Sequence, residues 1–234
     1  MLASLARLPG CGGGSRDEQP PPGAVPNPLR FQDGARADYE RRATAGFSHV
    51  LYAKSPDGVA PTAARTAQYR PLIERAARSA GVDPDTIEAL VFLESGGRPE
   101  VIAGKDPAAA AGLTQILAST GAGLLGMRVD LGESRRLTRE IARAEDGVAG
   151  AATEARLRAA RLRVEQLRTQ RRAVDQRFDP VQALMATARY LKVARKRFHR
   201  EDLAFVSYHM GIGNLADVIH DFGKKPGDQG LSYA

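Results

Sequence analysis

Apolar residues recur at helical spacing along most of the chain. From Pro61 to about Ala80, Tyr69, Leu72, Ile73 and Ala76 share one face, and Gly81 ends the segment. Asp83-Pro84 then offers a capping residue and an imino acid suited to the first helical position. Ile87, Leu90 and Val91 repeat after it, and Gly96-Gly97 cannot continue a helix cheaply. The next member of that apolar stripe is a carboxylate, Glu94. After an irregular stretch, Arg98 to Ala111, Gly112-Leu-Thr-Gln-Ile-Leu117 is expected to start a short helix. Gly121, Gly123 and Gly126 are expected to break the chain beyond it.

Residues 133–176 differ in kind. They are packed with Arg and Glu, lack Pro and aromatics, and carry a sparse stripe that includes Leu137, Ile141, Leu157, Val164 and Leu167. The pattern predicts an antiparallel helical hairpin or one long kinked helix, with the break near Asp146-Gly147 or Gly150. Phe178-Asp-Pro180 opens another helix whose stripe is Val181, Leu184, Met185, Ala188 and Leu191, with Tyr190 beside it. Glu201 to Met210 and Asn214 to Phe222 complete the series, separated by Gly211-Ile-Gly213. Strand signals are nearly absent, so the expected fold class is mainly α.

The 234 residues suffice for one sizeable core with appendages. Residues 1–45 read as a signal-like remnant and a Pro/Gly-rich linker, and residues 46–234 as the domain, with 133–176 as an inserted arm. A net charge of +7 suits an anionic partner. Nucleic acid ranks last among such partners, because no aromatic is interleaved with the basic residues of the arm for stacking. No run of about 18 apolar residues exists to span a membrane. Leu8-Pro-Gly-Cys11 resembles the lipobox of bacterial lipoproteins, which implies membrane anchoring through Cys11 lipidation; either its leader is incomplete or the match is accidental. The single cysteine forbids an internal disulfide.

Glu94 is the first candidate for chemistry. Partial burial and the negative end of its helix both disfavour the ionised carboxyl, as a general acid requires. The alternative is a carboxylate that curls into solvent at a frayed helix end. No metal-ligand spacing, phosphate-cradling glycine loop or nucleophile triad is visible, so no cofactor is expected.

Four pieces in order resemble the Slt-type lytic transglycosylases, whose fold is lysozyme-like. Glu94-Ser95 resembles that family's catalytic Glu-Ser. Ala111-Gly-Leu-Thr-Gln-Ile116 is similar to its Gly-Leu-Met-Gln-Ile segment. Phe178-Asp-Pro180 through Leu191 resembles the helix that comes next in the family. Ala204-Phe-Val-Ser-Tyr-His-Met-Gly-Ile-Gly-Asn214 is similar to its Ala-Tyr-Asn-Ala-Gly-Pro-Gly-Asn pattern. Thr114 stands in place of the usual Met, His209 in place of Asn and Ile212 in place of Pro.

The resemblance implies an extracytoplasmic enzyme acting on peptidoglycan glycan strands. It would cleave the β-1,4 bond between N-acetylmuramic acid and N-acetylglucosamine and leave a 1,6-anhydro end, with Glu94 first as acid and then as base. It further implies that Gln115 meets an N-acetyl or muramoyl oxygen and that Tyr208 donates a hydrogen bond to Glu94. Tyr190 would present its ring or hydroxyl to a sugar, or pack in the core with a wet tip. Ser95 would bond Glu94 or the glycan, or merely help end the helix. Two other readings stay open. A hydrolytic lysozyme on the same fold needs a second carboxylate, for which Glu100 and Asp106 are the candidates. A glycan- or partner-binding protein would keep the groove without catalysis.

Overall fold

The computed structural model describes residues 58–222, together with Ala37 and Arg41 ahead of them. The segment around Cys11, the linker and Gly46 to Tyr52 lie outside the described residues. Every helix of the described chain from Val59 onward belongs to the compact unit Ser48–Ala234. The fold is mainly α. Among the described residues there is no strand, only isolated bridges that pair Ile102 with Ala111, Ala111 with Ile116 and Val129 with Asp175.

The first expected helix is two. Helix α1 spans Val59–Ala67 and α2 spans Arg70–Ala80. Pro71 has no N–H to give the carbonyl of Ala67, and its ring crowds the preceding turn, so the chain restarts with proline in a first turn. Helix α3, Pro84–Ser95, agrees closely with the sequence expectation. The Asp83 carboxylate accepts from the Asp85 N–H at 3.0 Å, and Gly96 ends the helix in the left-handed region at φ 61°.

The expected helix at Gly112 is instead a tight turn closed by reciprocal bonds between Ala111 and Ile116, both 3.1 Å. Gly112 at φ 82° and Gln115 at φ 51° are left-handed, a backbone that a right-handed helix cannot contain. Helix α4, Ala118–Gly123, comes after it; it passes Gly121 and ends at Gly123, and Gly126 follows in the left-handed region at φ 64°.

Helices α5, Leu131–Ala149, and α6, Glu154–Val174, form a hairpin. The two run antiparallel: Ser134 meets Asp175, Thr138 meets Arg171 and Glu145 meets Arg168. Gly150 and the cap Thr153 set the turn. Leu137, Ile141 and Leu167 bury a small core near the base. From Ala142 to Arg163 no residue is buried, and cross-helix ion pairs such as Arg168–Glu145 at 2.8 Å bridge the two helices there.

A 3₁₀ turn, Gln176–Phe178, leads into α7, Pro180–Phe198, capped by Asp179. Helices α8, Glu201–Met210, and α9, Ile212–Phe222, complete the described chain. Helix α7 is the axis of the core. Leu184, Ala188 and Leu191 pack on Ile73, Ala77, Ile87 and Leu90, while Ala186, Tyr190 and Ala194 meet Ile116, Met127 and Ala204.

Candidate active site

Glu94 lies in the last turn of α3, and its side chain is 15% exposed. Burial pushes its carboxyl above the usual glutamate range, and the charge of His209 acts against that rise. His209 comes from the last turn of α8, and its Nε2 lies 3.5 Å from Glu94 Oε1. Directly after Glu94 the backbone is fixed. Arg65 Nε donates to Gly96 O at 3.0 Å. A Cβ on Gly97 would come within 2.8 Å of the Arg65–Thr66 peptide, so only glycine lets α1 approach so closely.

Ser95 does not face Glu94 or open space. It is buried, and its hydroxyl donates to Leu113 O at 2.7 Å, with Val91 O at 3.3 Å. A hydroxyl has one proton, and here it ties the helix end to the turn 111–116. Gln115 gives its amide protons to Val101 O at 3.1 Å and Gly112 O at 2.9 Å. Among the described residues its Oε1 has no partner, so what it offers a ligand is an acceptor.

Tyr208 also departs from expectation. Its hydroxyl donates to Thr114 O at 2.7 Å, with Thr187 Oγ1 at 3.2 Å, and no bond reaches Glu94. Burial pushes this phenol up to about 12. Tyr190 is a core residue with a satisfied tip: it donates to Ser207 O at 2.6 Å and meets the Tyr208 ring edge-on, centroids 5.2 Å apart. Both tyrosines therefore hold α7, α8 and the turn 111–116 together.

They also wall a cavity of about 520 Å³, together with Gln115, Leu117, His209 and Met210. His209 thus belongs both to this cavity and to the contact with Glu94. Leu117, Leu124, Val193 and Met210 expose apolar surface along the cavity, and Gln115 and Asn214 add polar groups. Ring-sized apolar surface with a few polar groups suits a sugar face with its acetamide. A second cavity of about 380 Å³, lined by Val82, Asp83, Leu191 and Phe205, adjoins the opposite end of α3.

The two other candidate carboxylates turn to the hairpin. Glu100 pairs with Arg171 and, at 3.3 Å, with Arg172. Asp106 accepts from the Ala108 N–H at 2.8 Å and pairs with Arg135 at 2.9 Å, and these bonds hold its carboxyl below the usual range.

Sequence reasoning missed the device that shapes this wall. Arg177 and Asp175 are both fully buried and paired at 2.7 Å. Arg177 further donates to Pro107 O at 2.6 Å, Ala109 O at 2.9 Å and Ile116 O at 3.2 Å, and Asp175 accepts from Ser134 Oγ at 2.8 Å. Nothing in residue type separates Arg177 from the many solvated arginines of the same tract. Among the described residues no cluster of His, Cys, Asp and Glu is arranged to hold a metal ion, and no helix is long and apolar enough to cross a membrane.

Residues 71–142 and 157–229 match the family model described as Transglycosylase SLT domain. The interval between the two segments, 143–156, covers the tip of the α5–α6 hairpin. No curated protein matches the chain. The chain belongs to the transglycosylase SLT domain family, and its helical architecture is that family's lysozyme-like fold.

Proposed function

We propose that this SLT-domain protein is an active lytic transglycosylase that cleaves the β-1,4 bond between N-acetylmuramic acid and N-acetylglucosamine. Members of the family act on peptidoglycan as lytic transglycosylases. The observation that carries the finer reading is one carboxyl, Glu94, largely buried at a helix end and inclined by burial to hold its proton. A protonated Glu94 gives that proton to the glycosidic oxygen as the C1–O4 bond breaks, and the bonding pair leaves with the oxygen. The Glu94 carboxylate then takes the proton of the muramic acid 6-hydroxyl while O6 bonds to C1. The anhydro ring closes, Glu94 is protonated again, and no water is consumed.

The engagement of Glu100 and Asp106 with hairpin arginines supports this over hydrolysis, which uses two carboxyl groups on either side of the bond. The acceptor of Gln115 and the apolar wall at Leu117 and Met210 suit an N-acetyl sugar. This substrate places the protein outside the cytoplasm, and lipidation of Cys11 would tether it there.

Mass spectrometry of purified peptidoglycan digested with the protein tests the reading. Anhydro-muropeptides are expected, and they should vanish with Glu94→Gln. Reducing-end products would instead mark a hydrolase, and glycan binding without turnover would mark a binding protein.

A further inference from the structure

The hydroxyl expected to steer Glu94 is engaged elsewhere, because Tyr208 donates to Thr114 O. The group that does meet the carboxyl is the next residue along α8. Glu94 and His209 each sit in the last turn of a helix, α3 and α8, so two negative helix ends converge on this contact. A carboxylate there is disfavoured, and a donor or cation is favoured. His209 is 60% exposed at the side chain, against 15% for Glu94, so the imidazole is the solvent-facing member of the contact.

We infer that His209 is the positioning partner of Glu94: its Nε2–H holds Oε1 and leaves Oε2 to exchange the proton with the sugar. This rests on the reading of Glu94 as the acid and base. When Glu94 has given up its proton, the Nε2–H donates to the carboxylate formed, and it withdraws when the 6-hydroxyl proton arrives. His209 keeps its own proton throughout, so the proton balance of the reaction is unchanged. A neutral imidazole suffices for this task.

An imidazolium acts more strongly, holding Glu94 ionised and opposing its burial. The other ionisable groups nearby do not replace it. The Tyr208 phenol is neutral at any working pH. Arg98 donates from Nε to Ser95 O at 2.9 Å, and Glu100 and Asp106 face the hairpin. The charge of His209 opposes the rise that burial gives Glu94, so removing the imidazole lets Glu94 keep its proton to higher pH.

The experiment is carboxyl ¹³C NMR of the full chain labelled at glutamate, with Glu94 identified by the signal missing from Glu94→Gln. In His209→Ala the midpoint of the Glu94 signal should lie at higher pH than in the wild type. Superimposable titrations in the two proteins would overturn the proposal, whether or not either turns over glycan. Absence of anhydro-muropeptides from the wild type would instead overturn the reaction assigned to Glu94.

In the enzyme assay His209→Ala should lower kcat by roughly tenfold with KM little changed, and move the alkaline limb of kcat upward. His209→Asn, whose amide is a donor without charge, should restore most of kcat but not the limb. An unchanged profile in both variants counts against the proposal. The exposure of His209 leaves the core intact, and an unchanged circular dichroism spectrum confirms that each variant is folded.

Discussion

The guanidinium of Arg177 and the carboxylate of Asp175 meet at 2.7 Å, and neither side chain reaches solvent. Arg177 extends from this pair to three carbonyls, those of Pro107, Ala109 and Ile116. One buried fork therefore joins the base of the hairpin to the turn that carries Thr114 and Gln115.

Removing the cation leaves Asp175 as an uncompensated buried charge and three carbonyls without their donor. Arg177→Met is expected to cost about 3–5 kcal/mol of folding free energy. Arg163→Met, at an exposed position 3.7 Å from Glu140, should stay within about 0.5 kcal/mol of wild type. Urea unfolding of the two variants makes the comparison, and equal losses would show that burial of the pair is immaterial.

Gly112 is required by the same fork. At φ 82° it is left-handed, and a Cβ there would stand 1.8 Å from Arg177 O. Gly112→Ala should therefore destabilise by more than about 2 kcal/mol. Gly147 is the control: it lies within α5, exposed, with nothing within 4 Å of an added Cβ. Gly147→Ala should raise stability by up to about 1 kcal/mol. Thermal melts of both variants should move in opposite directions.

These residues also mark how far the sequence could be read. Helix α3 and Glu94 were legible because punctuation was local: Asp83-Pro84 at one end, Gly96-Gly97 at the other, and Ile87, Leu90 and Val91 between. The order of four spaced segments made the family legible as well. The turn at 111–116 was not, because Leu113 and Ile116 have helical spacing and the left-handed Gly112 answers to a carbonyl far along the chain. The bond from Tyr208 to Glu94 does not form, and of the roles open to Ser95 the structure shows the helix-end one, for a related reason. Their acceptors, Thr114 O and Leu113 O, are backbone atoms, and residue type says nothing about which side chain reaches them. The break at Pro71 was visible in the sequence but was outweighed by an apolar stripe that continues across it.

Thr114 is fully buried, and its hydroxyl has no hydrogen-bond partner among the described residues, although its carbonyl accepts from Tyr208. An orphan buried hydroxyl costs about 1–3 kcal/mol. Thr114→Val keeps the shape and the carbonyl while removing the orphan. It should leave stability unchanged or raise it by about 1 kcal/mol, with the activity retained. A clear fall in the melting temperature would mean that the hydroxyl is satisfied in solution.

Glu94 should leave a signature in stability as well as in rate. Its carboxyl is raised in the folded protein, chiefly by burial, so between the ordinary glutamate value and the raised one the native state binds more protons than the unfolded chain. Stability then falls as pH rises through that window. Below the ordinary value both states are protonated and the penalty is absent; above the raised value it is fully present. Glu94→Gln removes the titration. The variant should match the wild type near pH 3 and melt at a higher temperature near pH 8. His209→Ala should enlarge the wild-type decline, since the imidazole's charge opposes the rise. Melting curves of the three proteins across pH decide it: a Glu94→Gln curve parallel to wild type at every pH would show that Glu94 titrates alike in the folded and unfolded states, and would remove the physical basis for its role as an acid.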